Sequence, residues 1–146
     1  MQCASTSVSA VAWPLTWGST QARRFAISSA RSAITCAINA QRAIDQKLET
    51  MTRRALRVRI GMHTGEALAD PDGDLFGRHV IVAARIANLA NGGEVLISSL
   101  VHAIVSATGD FTFGSPRLVE LKGIPGGHTV YDVNWQQTGQ DGAQST

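Results

Sequence analysis

The 146-residue sequence is poor in most of the features that announce a function. Its two cysteines, Cys3 and Cys36, are too few for a structural zinc site or a disulfide framework, so a reducing compartment fits best. Charged residues make up 16 %, below the usual quarter, and a net charge of +2 is too small for a dedicated nucleic-acid binder. No apolar run approaches the roughly 20 residues of a membrane-spanning helix. Pro14 interrupts the apolar patch Val11 to Leu15, and no basic residue precedes it, which argues against a secretory signal. The expectation is a cytoplasmic chain whose partners include neither a membrane nor nucleic acid.

Common catalytic signatures are missing too. There is no G-x-x-x-x-G-K-[ST] phosphate loop, no G-x-G-x-x-G and no G-x-S-x-G elbow. His63, His79, His102 and His128 form no H-x-x-x-H pair. Asp70, Asp72 and Asp74 fall at positions 1, 3 and 5 of a calcium loop. Position 6 is Leu75 where the turn needs glycine, and position 12 is Ile81 where a bidentate glutamate belongs, so calcium is not expected. Residues 1–24 contain neither aspartate nor glutamate.

What is present suits one folded domain. Hydrophobic residues reach 44 %, enough for a core. Charge is unevenly spread: residues 21–59 hold nine Arg/Lys against Asp45 and Glu49, whereas residues 60–146 hold four against nine acids. Residues 1–24 show no period, although Trp13 and Trp17 lie there. From Phe25 the pattern becomes regular. Ser28 or Ser29 can cap a helix carrying Ala30, Ala33, Ile34, Ala37, Ile38, Ile44 and Leu48, with Arg31, Asn39, Arg42 and Lys47 opposite. Cys36 is expected in the core of that helix. Leu56, Val58, Ile60 and Met62 alternate with Arg57, Arg59, Gly61 and His63, predicting a strand with one buried face. Val80 to Ala90 reads as a largely buried helix stopped by Asn91-Gly92-Gly93. A strand over Glu94–Ser98 and a helix over Ser99–Ala107 follow. Strands at Phe111–Phe113, Arg117–Leu121 and Thr129–Trp135 complete an antiparallel set before a polar tail, residues 136–146.

The stretch from Leu56 to Ser99, LRVRIGMHTGEALADPDGDLFGRHVIVAARIANLANGGEVLISS, resembles the catalytic domain of class III nucleotide cyclases, the adenylate and guanylate cyclases. The elements that carry the resemblance are VRIGMHTGE, GDLFGRHVIVAARIA and GGEVLIS, in that order. RLVELKGI and VYDVNW resemble the family's last strands, and SARSAITCAINAQRAI the helix that precedes the first element. The resemblance covers residues 25–135 and implies an α+β, ferredoxin-like (βαββαβ-derived) fold, incomplete at the N-terminus. It leaves residues 1–24 unmatched. It also implies that strands are missing beside Leu56 to Met62, leaving an unpaired sheet edge, an uncovered apolar face and marginal stability.

The implied reaction is attack of the ribose 3′-hydroxyl of a purine nucleoside triphosphate on its own α-phosphorus, with loss of pyrophosphate and with Mg²⁺ or Mn²⁺ assisting. The implied assembly is a head-to-tail homodimer, or a heterodimer with another cyclase domain. By resemblance, Asp74 in GDLFG matches the purine-reading aspartate. Arg85 in VIVAARI matches the arginine that stabilises the transition state, and Lys122 in ELKGI the triphosphate lysine. Two departures stand out. The family's asparagine, four residues before the arginine, is here Ile81, which offers no hydrogen bond. The metal-binding aspartates belong to strands upstream of the matched helix, where residues 1–24 have no acid. The chain is therefore expected to bind no metal alone and to be inactive alone, or else to serve as a non-catalytic partner of an intact cyclase.

Plainer roles remain open for the same residues. Asp74 suits a turn before Gly77, and Lys122 beside Gly123 suits a solvated turn. His63 suits a hydrogen-bonded scaffold position. Arg85, set in an apolar helix stripe, must reach a cleft, a carboxylate or a partner, because an unpaired buried charge is costly. Arg53 to Arg59 could meet an acidic partner, though alternating arginines more simply form the polar face of a strand.

Overall fold

In the computed structural model the described residues are 7–9, 20–50, 57–65, 68–69, 71 and 75–136. The first long element, α1 (Thr20–Thr50), begins earlier than the capping serines predict. Residues 20–50 contain no glycine or proline, so nothing between Thr20 and Ser28 opposes the helix. Its buried positions, Ile34, Ala37, Ile38 and Gln41, are spaced to share one face. Burying the Gln41 amide is tolerable because Nε2 donates to the Val58 carbonyl at 2.9 Å. Cys36 is exposed, not in the core, since it falls between the buried positions of α1.

A five-stranded sheet forms the centre, in the order β1 (Ser7–Ser9), β2 (Arg59–Met62), β5 (Val95–Ser98), β7 (Ile124–Asp132), β6 (Arg117–Leu121). β1, β2 and β5 run parallel, and β7 and β6 are antiparallel additions. A separate ribbon joins β3 (Leu68–Ala69) to β4 (Leu75–Phe76) ahead of helix α2 (Arg78–Leu89). The short α3 (Ser99–Val105) starts on Ser98, whose Oγ accepts from the Val101 amide. A single bridge, Phe113 to Val133, stands where a strand is expected at Phe111–Phe113.

Both faces of the sheet are covered. On one, Ile34, Ala37 and Ile38 of α1 and Val101 and Val105 of α3 pack with Val58, Ile60, Val95, Ile97, Val133 and Trp135. On the other, Val82, Ile86 and Ala90 pack with Leu96, Leu121, Ile124 and Val130. Trp135 ties the strand ends together: its Nε1 donates to the Gly93 carbonyl at 2.8 Å, and its own carbonyl accepts from Arg42 Nε at 3.1 Å.

Two expectations about β2 are corrected. Its edge is not unpaired, because Ser7–Ser9 lies parallel to Arg59–Gly61. Its second face is not solvated at Gly61, which is buried under α2. Alternation marks Gly61 as polar, but the absence of a side chain there admits a helix backbone.

Candidate functional site

Helix α2 is set by the residues beneath and before it. A Cβ on Gly61 would sit 2.2 Å from the Ala87 backbone nitrogen, so only glycine permits so close an approach. Gly77 starts the helix at φ 130, a region that side-chain-bearing residues avoid. Val82, Ala83, Ile86 and Ala87 then face the sheet.

Arg85 lies off that buried stripe. It is half-buried on the side of α2 turned from the sheet, and no described residue pairs with it by hydrogen bond or ion pair. Ile81, one turn earlier on the same side, is 51 % exposed. A cationic fork thus stands beside an aliphatic side chain that cannot help it hold an anion.

Lys122 is exposed in the two-residue turn between β6 and β7, next to Gly123 at φ 80. β7 pairs with β5 only through Val130–Asp132, so its residues 124–129 and this turn extend past the carboxyl end of β5. The start of α2 lies at that same end, since α2 connects the parallel strands β2 and β5. Asp74 lies outside the described residues, as do Asp70 and Asp72.

Among the described residues the donors for a two-cation centre are not brought together. Among the described residues no three His, Cys, Asp or Glu side chains form a group that could hold a metal ion. The strand beside β2 reads Ser-Val-Ser, and no carboxylate occurs in the sequence before Asp45. Among the described residues, Glu94 and Asp132 do approach each other, but at the opposite end of β5. Burial first, then the nearby Glu94 charge, raise the Asp132 pKa, and Glu94 is already held by Arg117 at 2.9 Å.

One side-chain constellation was not legible in the sequence. His63, just past β2, has Nδ1 2.9 Å from Ser98 Oγ and Nε2 2.9 Å from His79 Nδ1 in the first turn of α2. The two rings meet edge to edge, with centroids 5.2 Å apart and planes 24° apart. Gly65 leaves room for this, because a Cβ there would lie 2.2 Å from His79 Cγ. Burial, then the neighbouring His79 and His128, lower the His63 pKa to about 4. The hydrogen-bonded scaffold role expected for His63 agrees with this geometry.

This arrangement, a parallel β2–β5 core with α2 on one face, α1 and α3 on the other and a terminal β6–β7 hairpin, is similar overall to solved nucleotide cyclases. The adenylate/guanylate cyclase/hydrolase from Silicibacter pomeroyi superposes with a TM-score of 0.64 at 32 % identity, over 71 % of this chain and 60 % of that one. The guanylate cyclase domain of RhGC from Catenaria anguillulae, solved in complex with GTP, gives a TM-score of 0.53 at 26 % identity, over 72 % and 59 %. The fold is therefore the ferredoxin-like α+β fold of class III cyclases. The sequence model of the adenylate and guanylate cyclase catalytic domain matches residues 13–134, and the chain belongs to that family. The match starts at residue 13, ahead of the expected residue 25. The protein named "Putative adenylate cyclase 3" of Rhizobium meliloti (strain 1021) is 37 % identical over 97 residues, which is 66 % of this chain and 16 % of that protein. The chain thus spans about a sixth of the length of this curated relative. Among the described residues no helix is long and apolar enough to cross a membrane.

Proposed function

We propose that this chain is the arginine-bearing half of a class III cyclase site, binding a purine nucleoside triphosphate without turning it over alone. The supporting observation is Arg85, half-buried on the open side of α2 without a described protein partner, with Ile81 where the resemblance puts an amide. An arginine placed this way suits a phosphate oxygen, to which its planar fork can donate two hydrogen bonds. Lys122 would meet the terminal phosphates as a point charge, and Asp74 would accept from the purine edge. Replacing the amide donor by Ile81 removes one transition-state contact, worth roughly 10²–10³ in rate where such donors have been deleted.

Cyclisation needs cations to lower the nucleophile's pKa and neutralise the leaving group, and the described residues bring together no group of side chains that could hold one. In this reading Mg²⁺ or Mn²⁺ belongs to a partner cyclase domain, and the chain contributes the complementary half of a heterodimeric site. A homodimer would contain two arginine halves and no metal half. The same reading places the chain in the cytoplasm.

The test is to assay purified chain with Mn²⁺ and either ATP or GTP for cyclic nucleotide, and to measure binding of a fluorescent triphosphate. No turnover is expected, with saturable binding that Arg85→Ala weakens. Mixing with a cyclase lacking its own transition-state arginine should restore some turnover only when Arg85 is present. Clear turnover by the chain alone, or binding indifferent to Arg85→Ala together with no rescue, overturns the proposal.

A further inference from the structure

The histidine pair joins three elements that the sequence separates. His63 lies just past β2, His79 is in the first turn of α2, and Ser98 ends β5 and caps α3. All three side chains bond in one line, so the proton count decides whether the line holds. With both imidazoles neutral, the chain can run either way: each ring donates from one nitrogen and accepts at the other. One extra proton is also accommodated. A charged His79 donates from Nδ1 to His63 Nε2, and His63 donates from Nδ1 to Ser98 Oγ. A second extra proton cannot fit, because two N–H donors and two positive charges would then face each other across 2.9 Å.

We propose that the His63–His79 pair is an acid-sensitive clasp. It holds the first turn of α2 on the end of β2 while the two rings share at most one extra proton, and it opens when both are charged. The proposal goes beyond the half-site reading and does not depend on nucleotide binding.

The surroundings favour opening over a doubly charged pair. From α2, the other cation near the start is Arg78, and the helix terminus itself carries positive dipole. From β7, His128 adds to the field at His63, and its buried Nε2 has no hydrogen-bond partner. From β5, Ser98 offers a hydroxyl that does not titrate. β1 supplies Ser-Val-Ser, and Arg59 of β2 is exposed. No described carboxylate bonds to either ring, so no counter-ion among the described residues offsets a second charge. The backbone beneath is arranged for the pair: Gly65 clears the His79 ring, and Gly77 lets the chain turn into α2 beside it. Once opened, the first turn keeps only its own hydrogen bonds, such as Ile81 N–H to the Gly77 carbonyl at 3.2 Å.

The experiment is an NMR titration of the full chain from pH 7 to 4, following histidine ring carbons and amide protection factors along α2. His63 is expected to stay neutral until near pH 4, far below an ordinary histidine. Protection at Val82 and Ala83 should fall at least tenfold over that range, while that of Ala90 at the far end changes less. His79→Asn keeps a neutral bonding partner that cannot charge. In this variant the His63 titration should move up toward the ordinary value, and the loss of protection at the first turn should shrink. Two histidines titrating independently near the ordinary value would overturn the clasp. So would first-turn protection that is flat from pH 7 to 4, or an equal loss in His79→Asn. Should the variant fail to fold, the wild-type titration and exchange profile decide the question alone.

Discussion

Gly61→Ala is the substitution whose cost the structure states most directly. The new Cβ would lie 2.2 Å from Ala87 N, 2.5 Å from Ala87 Cα and 2.8 Å from Ala87 Cβ. Two of these atoms are helix backbone, so no rotamer change relieves them. The helix must lift by about 1 Å, which forfeits a quarter to a half of each affected dispersion contact. The contacts at stake join Val82 and Ile86 to Leu96 and Val130, the core of this face. Overpacking costs about 1–3 kcal/mol, and a backbone obstacle belongs at the upper end. For a chain of this length, about 3 kcal/mol lowers Tm by about 10 °C. Denaturant and thermal unfolding followed by circular dichroism measure it. Gly114→Ala is the control, since its Cβ would meet Asp132 Cβ at an ordinary 3.5 Å. A Gly61→Ala protein within about 0.5 kcal/mol of wild type, the range of bland surface changes, would refute the close approach of α2 to β2.

Other expectations follow from single contacts. His63 has a folded-state pKa of about 4, below the ordinary 6.5. Its contribution to stability is therefore complete above pH 6.5 and is lost as pH falls through 4. Discounted for partial exposure, the loss is about 1–2 kcal/mol, readable as a lower urea midpoint at pH 4 than at pH 7 that His63→Gln abolishes. Ile81→Asn changes an exposed side chain and should alter stability by no more than about 0.5 kcal/mol. It should tighten triphosphate binding while leaving the lone chain without turnover, and turnover appearing would show that a metal half-site exists after all. Trp135→Phe loses the bond from Nε1 to the Gly93 carbonyl and should cost about 1 kcal/mol in denaturant unfolding.

Periodicity alone made much of the architecture legible. The i, i+3, i+4 spacing of Ile34, Ala37 and Ile38 marks the buried face of α1, and the alternation of Val58, Ile60 and Met62 marks the α1 side of β2. Asn91-Gly92-Gly93 marks the end of α2, and Lys122-Gly123 the β6–β7 turn. Ordered motifs from VRIGMHTGE to VYDVNW carried the family, because short patterns in a fixed order constrain more than any one of them.

The absence of acid before Asp45, and of an amide at position 81, are facts of the sequence that no folding alters. Pairings between distant segments are of another kind. Ser7–Ser9 has little strand pattern of its own, yet it completes the edge of β2, because backbone hydrogen bonding does not depend on side chains. Gly61 looks polar by alternation and is buried by a helix 26 positions further on. Cys36 looks internal by composition and is exposed by its angle on α1. His63, His79 and Ser98 share no local spacing. Only the packing of α2 across parallel β2 and β5 brings their polar atoms within 2.9 Å, since through-space distance is set by the fold and not by separation along the chain.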